Sequence, residues 1–283
     1  MTQKIALITG ANSGLGKATA IALAQQTYQI IMVSRSRERG EVARAEIKSV
    51  SGSQQVDLLV ADLASQADIR KLADQVLSGW DRLDVLINNA GTSFYERKLT
   101  TDGIEATFAV NHLAGFLLTH LLLDRLKASA PSRIVNVASR VNVTVDLDDP
   151  QFERRKFGSL RAYAESKVCV IMFTYALAAR LPGTGVTVNC VHPGVFRSNL
   201  GVTDSRGSEP WLMRVILAMG QPFLNSAEKA AGRVVHLASS PEFETIHGKY
   251  YGDKVELQSP PQTYDKVAIE KLWALSSRLT GLS

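Results

Sequence analysis

Thr9-Gly10-Ala11-Asn12-Ser13-Gly14-Leu15-Gly16 is the stretch that decides how the chain is read. It closes an apolar run, 5–9, and opens a helix-periodic segment, 14–26. A strand, a Gly-rich turn and a helix start in that order form an anion site. Glycine lets backbone N–H groups come close to a ligand, and the helix end favours negative charge. The expected occupant is the pyrophosphate of a dinucleotide, held by Gly10, Asn12, Ser13, Gly14, Leu15 and Gly16. The spacing is Gly-x-x-x-Gly-x-Gly instead of Gly-x-Gly-x-x-Gly, so a turn that is merely rich in glycine is the competing reading.

The same alternation continues outward to residue 191. Strands are expected over 29–34, 56–61, 85–88, 134–138 and 186–191, and helices over 37–49, 66–78, 102–129 and 161–179. The strand runs are continuously apolar, as strands buried on both faces are. With helices between them they predict an α/β fold, a doubly wound parallel sheet of Rossmann type. No linker or repeat interrupts it, so residues 1–283 are expected as one domain. Beyond Pro193 the pattern loosens through 198–221, then gives a helix over 226–239, a short strand near 249–251 and a last helix over 264–279.

Composition removes several function classes. The chain has 283 residues, 32 Lys plus Arg against 27 Asp plus Glu, and a hydrophobic share of 45%. Its net charge of +5 is not clustered: Glu38 interrupts 35–39, and Glu153 accompanies Arg154, Arg155 and Lys156. No nucleic-acid partner is therefore expected. Two cysteines, Cys169 and Cys190, cannot build a disulfide framework, and both read as small core residues. The run 106–123 lacks charge but contains Asn111, His112, Thr119 and His120, which suits a buried helix better than a membrane span. No apolar leader precedes the first strand, so a cytoplasmic location is expected.

The remaining motifs sit at strand ends. A fold that prefers NAD carries an acid after its second strand for the adenine ribose, whereas this chain has Val33-Ser34-Arg35-Ser36-Arg37. A cation there accommodates a 2′-phosphate, so NADP(H) is the expected cofactor, with Arg35 on that phosphate. Asp62-Leu63 closes the third strand at the adenine edge, although Asp62 would equally suit a helix cap. Asn88-Asn89-Ala90-Gly91 ends the fourth; Asn89, Ala90 and Gly91 let backbone approach a flat ligand, while asparagine also suits turns for its own reasons. Ser139 ends the fifth strand, facing the ligand crevice or making an ST-turn. Tyr163-Ala164-Glu165-Ser166-Lys167 puts a phenol and an ammonium on one helix face, and the cation is expected to lower the phenol's pKa; most Tyr-x-x-x-Lys pairs are mere surface pairs. Asn111 lies in an otherwise apolar helix, where a buried amide must find partners. His112 and His192 have no ligand-spaced partners and read as packed histidines instead of metal ligands.

Taken jointly and in this order, the Gly-rich turn, Asn-Asn-Ala-Gly, Asn111, Ser139, Tyr163, Lys167 and Pro193-Gly194 resemble the short-chain dehydrogenase/reductase family over essentially the whole chain. The likeness is greatest to its retinol-dehydrogenase-like and WW-domain-oxidoreductase-like members. It implies a catalytic set of Asn111, Ser139, Tyr163 and Lys167, with Tyr163, Lys167, Pro193 and Gly194 also touching the cofactor. Tyr163 would exchange a proton with the substrate oxygen and Ser139 would hydrogen-bond it. Lys167 would bind the nicotinamide ribose and tune the tyrosine, and Asn111 would hold a relay water. An NADP(H)-dependent interconversion of an apolar alcohol with an aldehyde or ketone is expected.

The chain also departs from the family. Ser139 and Tyr163 are 24 positions apart, more than in many members, so 140–160 is expected as an inserted loop beside the substrate and mobile without it. Ser198 stands where members often carry threonine. The apolar segment 211–219 is expected to cover the pocket, with a membrane surface or a second subunit as alternatives. The competing functions are C=C reduction of the kind protochlorophyllide reductases perform, a non-catalytic nucleotide sensor, and a sugar-nucleotide epimerase. A homo-oligomer is left open.

Overall fold

The computed structural model describes residues 3–194 and 226–282. The expectations about Ser198 and about 198–221, with 211–219 inside it, lie outside the described residues. Strands β1 (Ile5–Thr9), β2 (Gln29–Ser34), β3 (Val56–Val60), β4 (Val85–Asn88), β5 (Ser132–Val137), β6 (Val186–His192), β7 (Tyr250–Gly252) and β8 (Val255–Glu256) form one sheet in the order β3-β2-β1-β4-β5-β6-β7-β8. The pairings from β3 through β7 are parallel and only β8 is antiparallel. This is the doubly wound sheet expected of Rossmann type. The chain order reverses between β1 and β4, which opens a crevice beyond the strands' carboxyl ends.

Helices α1 (Gly14–Gln25), α2 (Arg37–Ser51) and α3 (Gln66–Gly79) follow the first three strands. Helix α4 (Ala106–Ala128) precedes β5, α5 (Ser159–Ala178) follows it, and α6 (Ala227–Ser239) and α7 (Lys266–Thr280) come after β6. Ala20, Leu23, Ile47, Val234 and Leu237 from α1, α2 and α6 close one face of the sheet over Ile8, Ile30 and Met32. On the other face Leu72, Val76, Phe116, Leu118, Leu122 and Phe173 from α3, α4 and α5 cover Leu7, Ile31, Leu86 and Ile134. Every residue of β1 and β5 is buried, which is why these strands are continuously apolar or hydrogen-bonded. Helix α4 is long and apolar enough to cross a membrane, yet 72% of its most apolar window is buried inside the fold.

Two expectations need correction. The helix predicted over 102–129 begins at Ala106, because the buried Glu105 carboxylate accepts the N–H groups of Thr107 (2.8 Å) and Phe108 (2.7 Å) and caps it there. Residues Ala109–Leu113 of that helix form a wide π-turn around Asn111. The insertion 140–160 is not a loose lid. The Asp149 carboxylate accepts the amides of Glu153 (2.8 Å), Arg154 (3.2 Å) and Arg155 (2.9 Å), winding the loop about one buried charge. Arg155 then makes a two-pronged bond to buried Glu165 on α5, at 2.9 and 3.1 Å. Gln262 clamps Val145 from the far end of the chain, accepting its N–H at 2.7 Å and donating to its carbonyl at 2.9 Å. Val145, Leu147 and Phe152 are buried beneath these ties.

Candidate active site

The carboxyl ends of β1 to β6 meet in a single cleft of about 300 Å³, and all sixteen residues expected to bind a cofactor line it. Gly10 adopts φ +66°, and a Cβ on Gly16 would collide with the Gly10 carbonyl, so the turn closes on itself as only glycine permits. Ser36 and Ser65 cap α2 and α3 with their side chains, but Ser13 at the start of α1 makes no such bond. The first amides of α1 are thus left for whatever occupies the cleft. Thr9 Oγ1 accepts the N–H groups of Asn89 (2.9 Å) and Ala90 (3.0 Å), and Asn89 Nδ2 donates to the Thr9 carbonyl at 2.7 Å. Asn89 therefore braces the Gly-rich turn from the neighbouring strand.

At the far end Arg35 lines the cleft after β2. Arg39 lines it too; it was read only as part of a solvated charge run, although its place in the first turn of α2 brings it back toward the strand end. Asp62 lines the cleft and is not a helix cap: its Oδ1 accepts the Ala64 amide at 3.0 Å, while Ser65 caps α3.

At the near end Ser139, Tyr163 and Lys167 share one wall, with the Ser139 side chain the polar neighbour of the Tyr163 phenol. Lys167 Nζ lies 5.9 Å from the Tyr163 ring centroid and donates to the Val137 carbonyl at 2.8 Å. Burial lowers the Lys167 pKa to about 8. The expected lowering of the phenol is not found in the protein alone: burial pushes Tyr163 up from its ordinary value, and the Ser139 side chain only partly opposes this. Asn111 lies behind the wall instead of in it. Its Oδ1 accepts the Thr92 amide (2.7 Å) and its Nδ2 donates to the Thr92 carbonyl and to Ser166 Oγ, both at 2.9 Å. The side chain so engaged fixes the segment after Gly91. His112 is buried, with Nε2 2.8 Å from Ser276 Oγ on α7, a packed histidine as expected.

The model of the short chain dehydrogenase family matches residues 4–208. The chain belongs to that family. It is 40% identical to human retinol dehydrogenase 13 over 99% of its length and 85% of the relative's, and 40% identical to human retinol dehydrogenase 14 over 100% and 88%. Among solved structures, an uncharacterized protein from Mycobacterium paratuberculosis superposes with a TM-score of 0.79 at 30% identity, covering 99% of this chain and 94% of that one. Pseudomonas aeruginosa RhlG, solved as a complex with NADP, superposes with a TM-score of 0.69 at 25% identity, covering 89% and 95%. As a short chain dehydrogenase the protein is an oxidoreductase of a nicotinamide-using fold.

Proposed function

We propose that this oxidoreductase uses NADP(H) to interconvert an apolar alcohol and its aldehyde or ketone. The observation that carries the reading is one cleft with Ser139, Tyr163 and Lys167 at one end and two arginines, Arg35 and Arg39, at the other. A nicotinamide dinucleotide fits these residues. Gly10 and Gly16 have no room for a Cβ and the start of α1 lacks a side-chain cap, as a backbone-bound pyrophosphate requires. Arg35 and Arg39 suit the 2′-phosphate that distinguishes NADP from NAD. Asp62 and Leu63 would border the adenine, and Ala90, Gly91, Pro193 and Gly194 the flat rings between adenine and substrate. When bound, the cofactor supplies or removes a hydride at the substrate carbon.

The protein's own part is proton handling. Tyr163 is held protonated by burial, so in reduction its O–H is available to the substrate oxygen. Ser139, beside the phenol on the same wall, donates to that same oxygen and orients it. Lys167 stabilises the phenolate that remains and offers its other N–H bonds to the ribose. Phe94, Val110 and Val137 line the cleft as well, giving an apolar surface for the substrate body. The retinol dehydrogenase names of the relatives agree with an apolar alcohol. We place the enzyme in the cytoplasm: among the described residues α4 is the one helix long and apolar enough to span a membrane, and it is mostly buried in the fold.

The test is a panel of aliphatic, aromatic, steroid and retinoid carbonyls followed by NADPH absorbance, with wild type and Tyr163→Phe side by side. Phenylalanine keeps the ring and deletes its proton, so turnover should fall by roughly 10² to 10⁴ while NADPH still binds. Near-normal turnover by Tyr163→Phe would remove the phenol from the mechanism. Reduction of conjugated C=C bonds in place of the carbonyl would move the assignment to that chemistry.

A further inference from the structure

We propose that His192 is a positioning residue: it sets the separation between Ser139 and the Pro193-Gly194 turn, the two lips of the cleft. The proposal rests on the oxidoreductase reading and goes beyond the catalytic set. His192 is the last residue of β6, and its Nδ1 accepts two backbone amides, Arg140 at 3.1 Å and Gly194 at 3.4 Å. The first belongs to the residue after Ser139 and the second to the turn that lines the cleft opposite.

Each lip has further ties. Tyr250 Oη donates to the Ser139 carbonyl at 3.0 Å, and Arg233 Nη1 donates to the Pro193 carbonyl at 2.5 Å, with Arg233 Nε itself held by Asp253 at 3.1 Å. Those ties lead away to β7 and α6. Among the described residues, the His192 ring is where a single atom joins both lips. Nδ1 can accept only while it carries no proton, and burial together with the Arg233 and Arg140 charges keeps the imidazole neutral, with its pKa lowered to about 4. Gly194 adopts φ +89°, and a Cβ there would run into Arg233 Nη1, so the turn has little freedom once these bonds are made.

The consequence follows from the proton chemistry. Ser139 orients the substrate oxygen, and the Pro193-Gly194 turn borders the ring that exchanges hydride with the adjoining carbon. A shift of about 1 Å between them is enough to cost on the order of 10²-fold in rate.

Side-chain reach supplies the test. Asparagine Oδ1 is as many bonds from Cα as histidine Nδ1 and readily accepts the amide two residues on, as in Asx-turns. Glutamine carries the same amide one methylene further out, and leucine has no acceptor. In the full chain without cofactor, hydrogen exchange of the Arg140 and Gly194 amides should speed up about fivefold in His192→Leu and His192→Gln, the factor a net hydrogen bond carries, and stay near wild type in His192→Asn. With NADPH and an active carbonyl substrate, Leu and Gln should lower kcat by roughly 10 to 10² with NADPH Kd nearly unchanged, and Asn should recover most of it.

Three variants equal in kcat, or all three falling in step with melting temperature, would overturn the positioning role and leave the oxidoreductase reading intact. So would unchanged exchange at both amides in His192→Gln, which remains polar and of similar bulk if the leucine variant fails to fold. A wild-type chain that reduces no carbonyl overturns the reaction assignment, and this role with it.

Discussion

Replacing Arg155 with methionine removes the cation that ties the insertion to the catalytic helix, and its cost can be worked from the geometry. Arg155 donates twice to Glu165 (2.9 and 3.1 Å), once to the Asp149 carboxylate (3.3 Å) and once to the Asp149 carbonyl (2.7 Å). Both carboxylates are buried, with side chains 4% and 3% exposed. Removing one partner of a buried pair costs about 3–5 kcal/mol, because the other charge stays out of water uncompensated. Here the loss is smaller. Glu165 keeps Arg161 at 2.6 Å, Asp149 keeps its backbone amides, and Arg155 is itself 26% exposed and partly screened. The guanidinium also leaves the Phe152 ring, 4.3 Å away, although methionine recovers some of that packing. The expected loss is about 2–3 kcal/mol, or roughly 3–5 °C in Tm for a chain of this size. Thermal melting followed by circular dichroism reads it, and an NADPH titration runs beside it. Affinity should hold, since no residue of 140–160 lines the cleft. An unchanged Tm with altered NADPH affinity would show that the insertion is part of the site and not a buttress behind it.

The other expectations concern the cleft itself. Arg35→Ala should weaken NADPH by about 1.5–3 kcal/mol, the worth of a charged hydrogen bond, and leave NADH untouched, with Arg39→Ala acting in the same direction; a wild type that prefers NADH in a binding titration would refute the role of both. Lys167 has a folded pKa lowered to about 8, so its ammonium is present below that pH and lost above it. NADPH affinity measured from pH 6 to 10 should therefore fall as pH rises through about 8, and Lys167→Met should flatten the curve; a wild-type affinity level across pH 8 would separate the ammonium from the cofactor. Gly16→Ala presses a Cβ onto the Gly10 carbonyl and to within 2.5 Å of Asn89 Nδ2, and should abolish NADPH binding, whereas Gly14→Ala meets nothing within 4 Å and should cost only the left-handed backbone strain, about 1–2 kcal/mol by melting.

Much of this site could be read in the residue order, and the reason is local. The strand, glycine turn and helix from Ile5 to Gln25 are contiguous, so burial on both faces and the need for φ > 0 leave their marks within a few positions. Tyr163 and Lys167 share a face because a helix brings i and i+4 together. Arg39 was equally near in sequence and still escaped, since a charge run looks the same whether it faces solvent or a phosphate. The insertion escaped for a different reason. Its fold depends on one carboxylate, Asp149, gathering three amides, and no periodicity announces such a knot.

His192 and Tyr163 mark where spacing stops being informative. The Arg140 amide that makes His192 more than a packed histidine is 52 positions away, brought to it only by the pairing of β5 with β6. For Tyr163 the neighbour was visible and the solvent was not. A cation at i+4 predicts a lowered phenol pKa, but burial disfavours both charged forms, raising Tyr163 and lowering Lys167 to about 8. The two shifts favour the neutral form in each case and put the lysine below the tyrosine, so the phenol holds its proton while the ammonium is the readier of the two to give one up. A proton passed from Tyr163 to substrate then leaves a phenolate beside Lys167, and the charge created in that step is what restores the lysine's preference for its ammonium form.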